Sequence, residues 1–125
     1  MAFQNFYDLT VYKQCRTFRK KVSELVKKQF PSAEKFLLAS QISDAARSIT
    51  ANIAEGHGRF HYQENIQFCR IARGSLSETL EHLITAFDEG YISKETLEEM
   101  KHQYDVSLKS LNGYIAYLKR KKAGN

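Results

Sequence analysis

Residues Ser93 to Lys122 read SKETLEEMKHQYDVSLKSLNGYIAYLKRKK. Within them Leu97, Met100, Tyr104, Leu108, Leu111, Ile115 and Leu118 recur at intervals of three and four. That spacing stacks them on one face of a helix with 3.6 residues per turn. Ser93 is a good N-cap, Glu95 suits the positive end of the helix dipole, and the basic Lys119–Lys122 cluster suits its negative end. The stretch predicts a helix over 94–120.

Upstream the same spacing recurs three times. Ile66, Cys69, Ala72, Leu76, Leu80, Leu83 and Phe87 predict a helix over 62–89 that stops at Gly90. Leu38, Ile42, Ala45, Ala46, Ile49 and Ile53 predict one over 36–55, ended by Gly56 in the left-handed conformation. Val11, Cys15, Phe18, Val22, Leu25 and Val26 predict one over 9–30, stopped by Pro31. No segment alternates with period two for long, so no strand is expected. Four amphipathic helices with short loops imply an all-α, antiparallel up-down-up-down four-helix bundle. A chain of 125 residues fits one domain, 1–125, with Ile49, Ile53, Leu80, Leu111 and Ile115 in its core.

Hydrophobic residues make up 42% and charged residues 26%, which argues against disorder. The first residues lack a basic region followed by an apolar stretch, and apolar runs fall far short of the roughly 20 residues that span a bilayer. A cytoplasmic location is the default expectation, without a membrane partner. Cys15 and Cys69 fall on apolar stripes, where cysteine behaves as a small hydrophobe rather than part of a disulfide framework or zinc site.

Nineteen Lys and Arg against 14 Asp and Glu give a net charge of +5. Lys13, Arg16, Arg19, Lys20, Lys21, Lys27 and Lys28 crowd the first helix, and Lys119, Arg120, Lys121 and Lys122 close the last. Between Leu76 and Asp105 the sign reverses with Glu78, Glu81, Asp88, Glu89, Glu95, Glu98, Glu99 and Asp105. An electrically two-sided molecule is expected. Lys13, Arg16, Lys20 and Lys27 align on one side of their helix, where a phosphate backbone would lie, although a charged outer face is often only solvated.

Two features exceed what a plain bundle needs. Gln41, Ser48, Asn52 and Glu55 form a polar stripe on the second helix, and Gln67, Gly74, Ser75 and Glu78 form its partner on the third. Glycine inside a helix costs about 1 kcal/mol relative to alanine, so Gly74 points to a close approach by another helix or another subunit. The stripes read as a hydrogen-bonded seam that fixes helix pairing, or as a ligand groove. The loop Gly56–Tyr62 carries Arg59, His57, His61, Phe60 and Tyr62. Those residues suit phosphate gripping and base stacking. Alternatively, Arg59 pairs with Glu55 while Phe60 and Tyr62 cap the bundle.

The run from Gln41 to Gly56, QISDAARSITANIAEG, followed by Gly58-Arg59, resembles the signature of the 23S-rRNA intervening-sequence proteins, also called four-helix bundle proteins. Phe68 to Ala72, Gly74-Ser75, Glu78, Gly90-Tyr91-Ile92, Phe6 to Tyr12, and Phe30-Pro31 with Glu34 fit the same pattern. The resemblance implies a bundle, a bacterial source and genes inside large-subunit rRNA insertions. It also implies ring-shaped homopentamers, as in the similar accessory proteins of diversity-generating retroelements. It supplies no catalytic residues.

The residues supply none either. A di-metal carboxylate site needs two inward Glu-x-x-His motifs. Glu99 and His102 form one, yet His102 lies about 200° from the core position Met100. Without strands there is no phosphate loop of the strand–glycine–helix kind. No metal, cofactor or small-molecule substrate is expected. The leading expectation is a non-enzymatic, oligomeric RNA-associated or scaffold protein. Its nucleic-acid contacts would be Lys13, Arg16, Lys20, Lys27, Arg59, Lys119, Arg120, Lys121 and Lys122. Its structural motif would be Gln41, Ser48, Asn52, Glu55, Gly56, Gly74, Ser75 and Glu78. The alternative is a protein–protein adaptor that recruits an RNA-handling enzyme such as a reverse transcriptase.

Overall fold

A computed structural model of the chain describes residues 4–124; residues 1–3 and 125, the ends of the expected domain, lie outside the described residues. Four α-helices follow one another: α1 Thr10–Gln29, α2 Leu38–His57, α3 Tyr62–Asp88 and α4 Lys94–Ala123. Two 3-10 turns, Phe6–Asp8 and Ser32–Glu34, precede α1 and α2. No strand occurs among the described residues.

The apolar spacing builds the core directly. Val11, Cys15, Phe18, Val22 and Leu25 of α1 are buried, as are Ile42, Ala46, Ile49 and Ile53 of α2. From α3 and α4 come Ile66, Cys69, Leu76, Leu83, Leu111, Ile115 and Leu118. Leu80, expected in the core, is only partly buried and packs against its edge. Gln103 Nε2 and Ser107 Oγ, buried on α4, donate to the Gln14 carbonyl of α1 at 3.2 and 3.1 Å. Paired polar groups of this kind avoid the cost of burying an unsatisfied donor.

Local chemistry sets where the helices stop. Phe30 is extended (φ −78°, ψ 135°), as a residue before proline prefers, and α1 ends there. The 3-10 turn after Pro31 delays α2 to Leu38, two residues beyond the predicted start. At the end of α3, Gly90 takes φ +81°. The Tyr91 N–H then reaches the Ala86 carbonyl at 2.9 Å and the Gly90 N–H reaches that of Phe87 at 3.0 Å, a Schellman closure. Ser93 caps α4 by accepting the Thr96 N–H at 3.1 Å. Gly56 does not end α2 in a left-handed conformation. The helix runs through it to His57, and Gly58 follows with φ −72°. Gly56 is glycine because of close packing rather than backbone conformation.

α1 packs on α2 and α4, and α3 packs on the same two helices, leaving the diagonal pairs apart. This is the up-down-up-down bundle. The path gathers the start of α1, the α2–α3 loop and the end of α4 at one end. The α1–α2 connection and the α3–α4 turn meet at the other, where Tyr91 Oη donates to Glu34 Oε1 at 3.1 Å and the Tyr91 ring lies 5.9 Å from that of Phe30. The eight acids between Leu76 and Asp105 are all exposed, on the half of α3 and α4 nearest this second end. Within the α3–α4 hairpin charge therefore separates end to end, with acids toward its turn and bases at its open end, while α1 carries bases along its length as far as Lys27 and Lys28.

Candidate functional site

The two polar stripes meet between α2 and α3. Ser48 and Ser75 share a hydrogen bond of 2.8 Å between hydroxyl oxygens. Asn52 Nδ2 donates to the Ser48 carbonyl at 2.8 Å and to Ser48 Oγ at 3.0 Å, orienting the serine from its own helix. Gln41, Glu55, Gly74 and Glu78 flank this seam in solvent. Gly74 has nothing within 4 Å of an added β-carbon, so no helix of its own chain accounts for it.

The close approach belongs to Gly56. A β-carbon there would stand 2.8 Å from Asn65 Oδ1 and 2.8 Å from Phe68 Cβ. Asn65 is buried, donates to Tyr114 Oη at 3.1 Å and accepts from Cys69 Sγ at 3.5 Å. Gly56, Asn65 and Tyr114 thus join α2, α3 and α4. Burial raises the Tyr114 phenol above its ordinary pKa, and the Asn65 hydrogen bond works against that rise.

In the loop, Arg59 is held by two carboxylates: Glu55 at 3.2 Å and Glu64 at 3.2 Å. Its guanidinium also lies 5.1 Å from the Phe68 ring centroid. A phosphate would have to displace those carboxylates. Phe60 does not cap the bundle: it is 99% exposed, and His61 and Tyr62 are exposed beside it.

Lys13, Arg16, Lys20 and Lys27 all project into solvent from α1. None makes an ion pair among the described residues. Arg19 turns inward to donate to Thr50 Oγ1 at 2.8 Å and ties α1 to α2. Lys119, Arg120, Lys121 and Lys122 are exposed; Lys121 lies 6.0 Å from the Tyr117 centroid and Lys122 bonds Gln63. The antiparallel path places Lys13, Arg59 and the tetrabasic tail at one end and Lys27 at the other. The candidate bases form a band along α1 with a denser end, rather than one patch. Spacing alone did not single out Arg70 of α3, which also stands exposed at that end.

Burial pushes the Cys15 and Cys69 thiols up to about 12, and neither is in a disulfide. His82 sits 3.4 Å from Glu78. No group of three or more His, Cys, Asp or Glu suited to a metal ion occurs among the described residues. No helix there is long and apolar enough to cross a membrane.

These features define a class: an all-α four-helix bundle with a polar α2–α3 seam and an exposed basic band. The family model for 23S rRNA-intervening sequence proteins matches residues 7–113, and the chain belongs to that family. It is also similar to a crystal structure of a protein of unknown function from the S23 ribosomal protein family of Bacteroides thetaiotaomicron. The TM-score is 0.77 at 24% identity, over 85% of this chain and 98% of that one, a likeness of fold. No curated protein matches the chain significantly.

Proposed function

We propose that this protein is a non-enzymatic, oligomeric RNA-associated protein whose α1 band and C-terminal tail hold phosphate backbone. One observation carries the reading: Lys13, Arg16, Lys20 and Lys27 lie exposed along one helix, and no carboxylate among the described residues neutralises them. Unpaired surface cations keep a counterion atmosphere that a polyanion displaces, and such contacts position nucleic acid without reading its sequence. Membership of a family named for rRNA insertions agrees with an RNA partner.

Assembly is the second part of the proposal. Gly74 is exposed with no neighbour of its own chain, and Ile71, one turn earlier, is 53% exposed. A small residue beside an apolar one on an outer face suits close approach by a second copy. The family resemblance favours a closed homopentamer, which would repeat the basic band around a ring. Purification tests the whole reading. The protein should carry nucleic acid, seen as a high 260/280 nm absorbance ratio that a high-salt wash lowers.

A second reading is a protein–protein adaptor that recruits an RNA-handling enzyme. It is favoured by Phe36 and Leu37, which stand 83% and 59% exposed in the α1–α2 connection, where a protein partner would cover them. A partner complex that survives nuclease, from a protein that binds no RNA itself, would put this reading first.

A further inference from the structure

At the basic end of the bundle, an open cleft of about 400 Å³ runs between the first turns of α3 and the last turns of α4. Gln63, Ile66, Arg70, Lys119, Lys122 and Ala123 line it, and no carboxylate is among them. Its volume falls in the range of roughly 300–1,000 Å³ typical of small-ligand sites. The groove between α1 and α2 beside Arg19 offers only about 70 Å³.

Three cations around one cleft repel one another unless an anion enters. Neither Arg70 nor Lys119 has an ion pair among the described residues, and Lys122 bonds only the neutral amide of Gln63. The wall is different in kind. Exposed Ala123 and the aliphatic stems of Lys119 and Lys122 line it above the nearly buried Ile66, so a bare inorganic anion would leave that apolar part uncovered. A planar base carrying a phosphate would satisfy both parts. Phe60, 99% exposed and three residues before Gln63, offers a stacking face to a neighbouring base. Bases reach such faces only when splayed from a single strand. Lys119 and Lys122 lie beyond the residues 7–113 that match the family, so the cleft depends on features outside that match.

Resting on the RNA-associated reading, we infer that this cleft is a subsite for one nucleotide of single-stranded RNA. Its phosphate sits among Arg70, Lys119 and Lys122, and its base lies against Ala123 and the lysine stems, above Ile66. Arg70 becomes a binding residue.

The test uses the full chain with labelled isoleucine and alanine methyl groups, titrated with AMP, with inorganic phosphate and separately with single-stranded RNA. AMP should shift the Ile66 and Ala123 signals saturably, and inorganic phosphate should bind about tenfold more weakly. Arg70→Gln, an exposed change that should leave the circular dichroism spectrum intact, should weaken AMP by about tenfold, the loss of one charge-assisted contact. Equal binding of phosphate and AMP would reduce the cleft to a simple anion site and overturn the inference. RNA binding without AMP shifts at these methyl groups would overturn the subsite and leave the RNA reading standing. AMP binding with no RNA binding would overturn the RNA reading and the assignment of this nucleotide to an RNA chain.

Discussion

Gly56 and Asn65 are in such close contact that a methyl group on Gly56 would meet Asn65 Oδ1 at 2.8 Å and its carbonyl oxygen at 3.1 Å. Neither obstacle can withdraw cheaply. The carbonyl is backbone, and the side-chain amide of Asn65 is tied to Tyr114. Gly56→Ala should therefore push α2 from α3 and cost about 1–3 kcal/mol, the usual penalty of overpacking. Urea unfolding followed by circular dichroism measures it. An unchanged midpoint would mean the contact is loose.

Gly74 should behave in the opposite way. Nothing in its own chain approaches it, so in a lone bundle Gly74→Ala should stabilise by about 0.5–1 kcal/mol through helix propensity. A larger side chain, as in Gly74→Leu, should leave each bundle folded and weaken the oligomer. Sedimentation of the parent and the Leu variant checks this. A parent that runs as a 14.5 kDa monomer at micromolar concentration contradicts the assembly.

The contrast between these glycines shows what the sequence carries and what it withholds. Gly74 stands in the middle of α3 and Gly56 one residue before the end of α2, and neither takes a positive φ. Only the helix packing tells that Gly56 faces Asn65 and Phe68 while Gly74 faces solvent. Periodicity exposes a helix and its inner stripe, which is why Ser93, Gly90 and the core of α4 are readable in advance. A polar seam between α2 and α3, though not its Ser48–Ser75 bond, is also legible, because polar stripes run beside the apolar ones. The Asn65–Tyr114 bond and the Arg70 cleft are not. Each joins residues 49 or more positions apart, and local spacing says nothing about which helix a side chain will face.

Burial separates two leucines that share one sequence pattern. Leu111 is fully buried, so Leu111→Ala should cost about 2–5 kcal/mol. Leu80 lies at the edge of the core, and Leu80→Ala should fall below that range. Equal losses in denaturant unfolding would show that the core extends past Leu80.

The buried thiols make stability depend on alkaline pH. Their folded pKa values, about 12, lie above the ordinary 9.0 because burial disfavours the thiolate. Above pH 9 the unfolded chain loses those protons while the folded chain keeps them, so stability falls as pH rises from about 9 toward 12. Below pH 9 this contribution is fully present. A Cys15→Ala, Cys69→Ala variant should be less stable at neutral pH and show a shallower alkaline decline, read from unfolding midpoints across pH.

The α1 band is tested most directly by the salt dependence of RNA binding. Binding of single-stranded RNA should be measured for the parent and for the quadruple variant Lys13→Gln, Arg16→Gln, Lys20→Gln, Lys27→Gln. All four side chains are exposed, so the fold should persist. The parent should bind at low salt, and its affinity should fall linearly on a double-logarithmic plot. The variant should bind more weakly for every sequence, with a slope flatter by up to roughly 0.7–0.9 per lost phosphate contact. A variant that matches its parent in affinity and slope, or a parent that binds no RNA at low salt, contradicts the account.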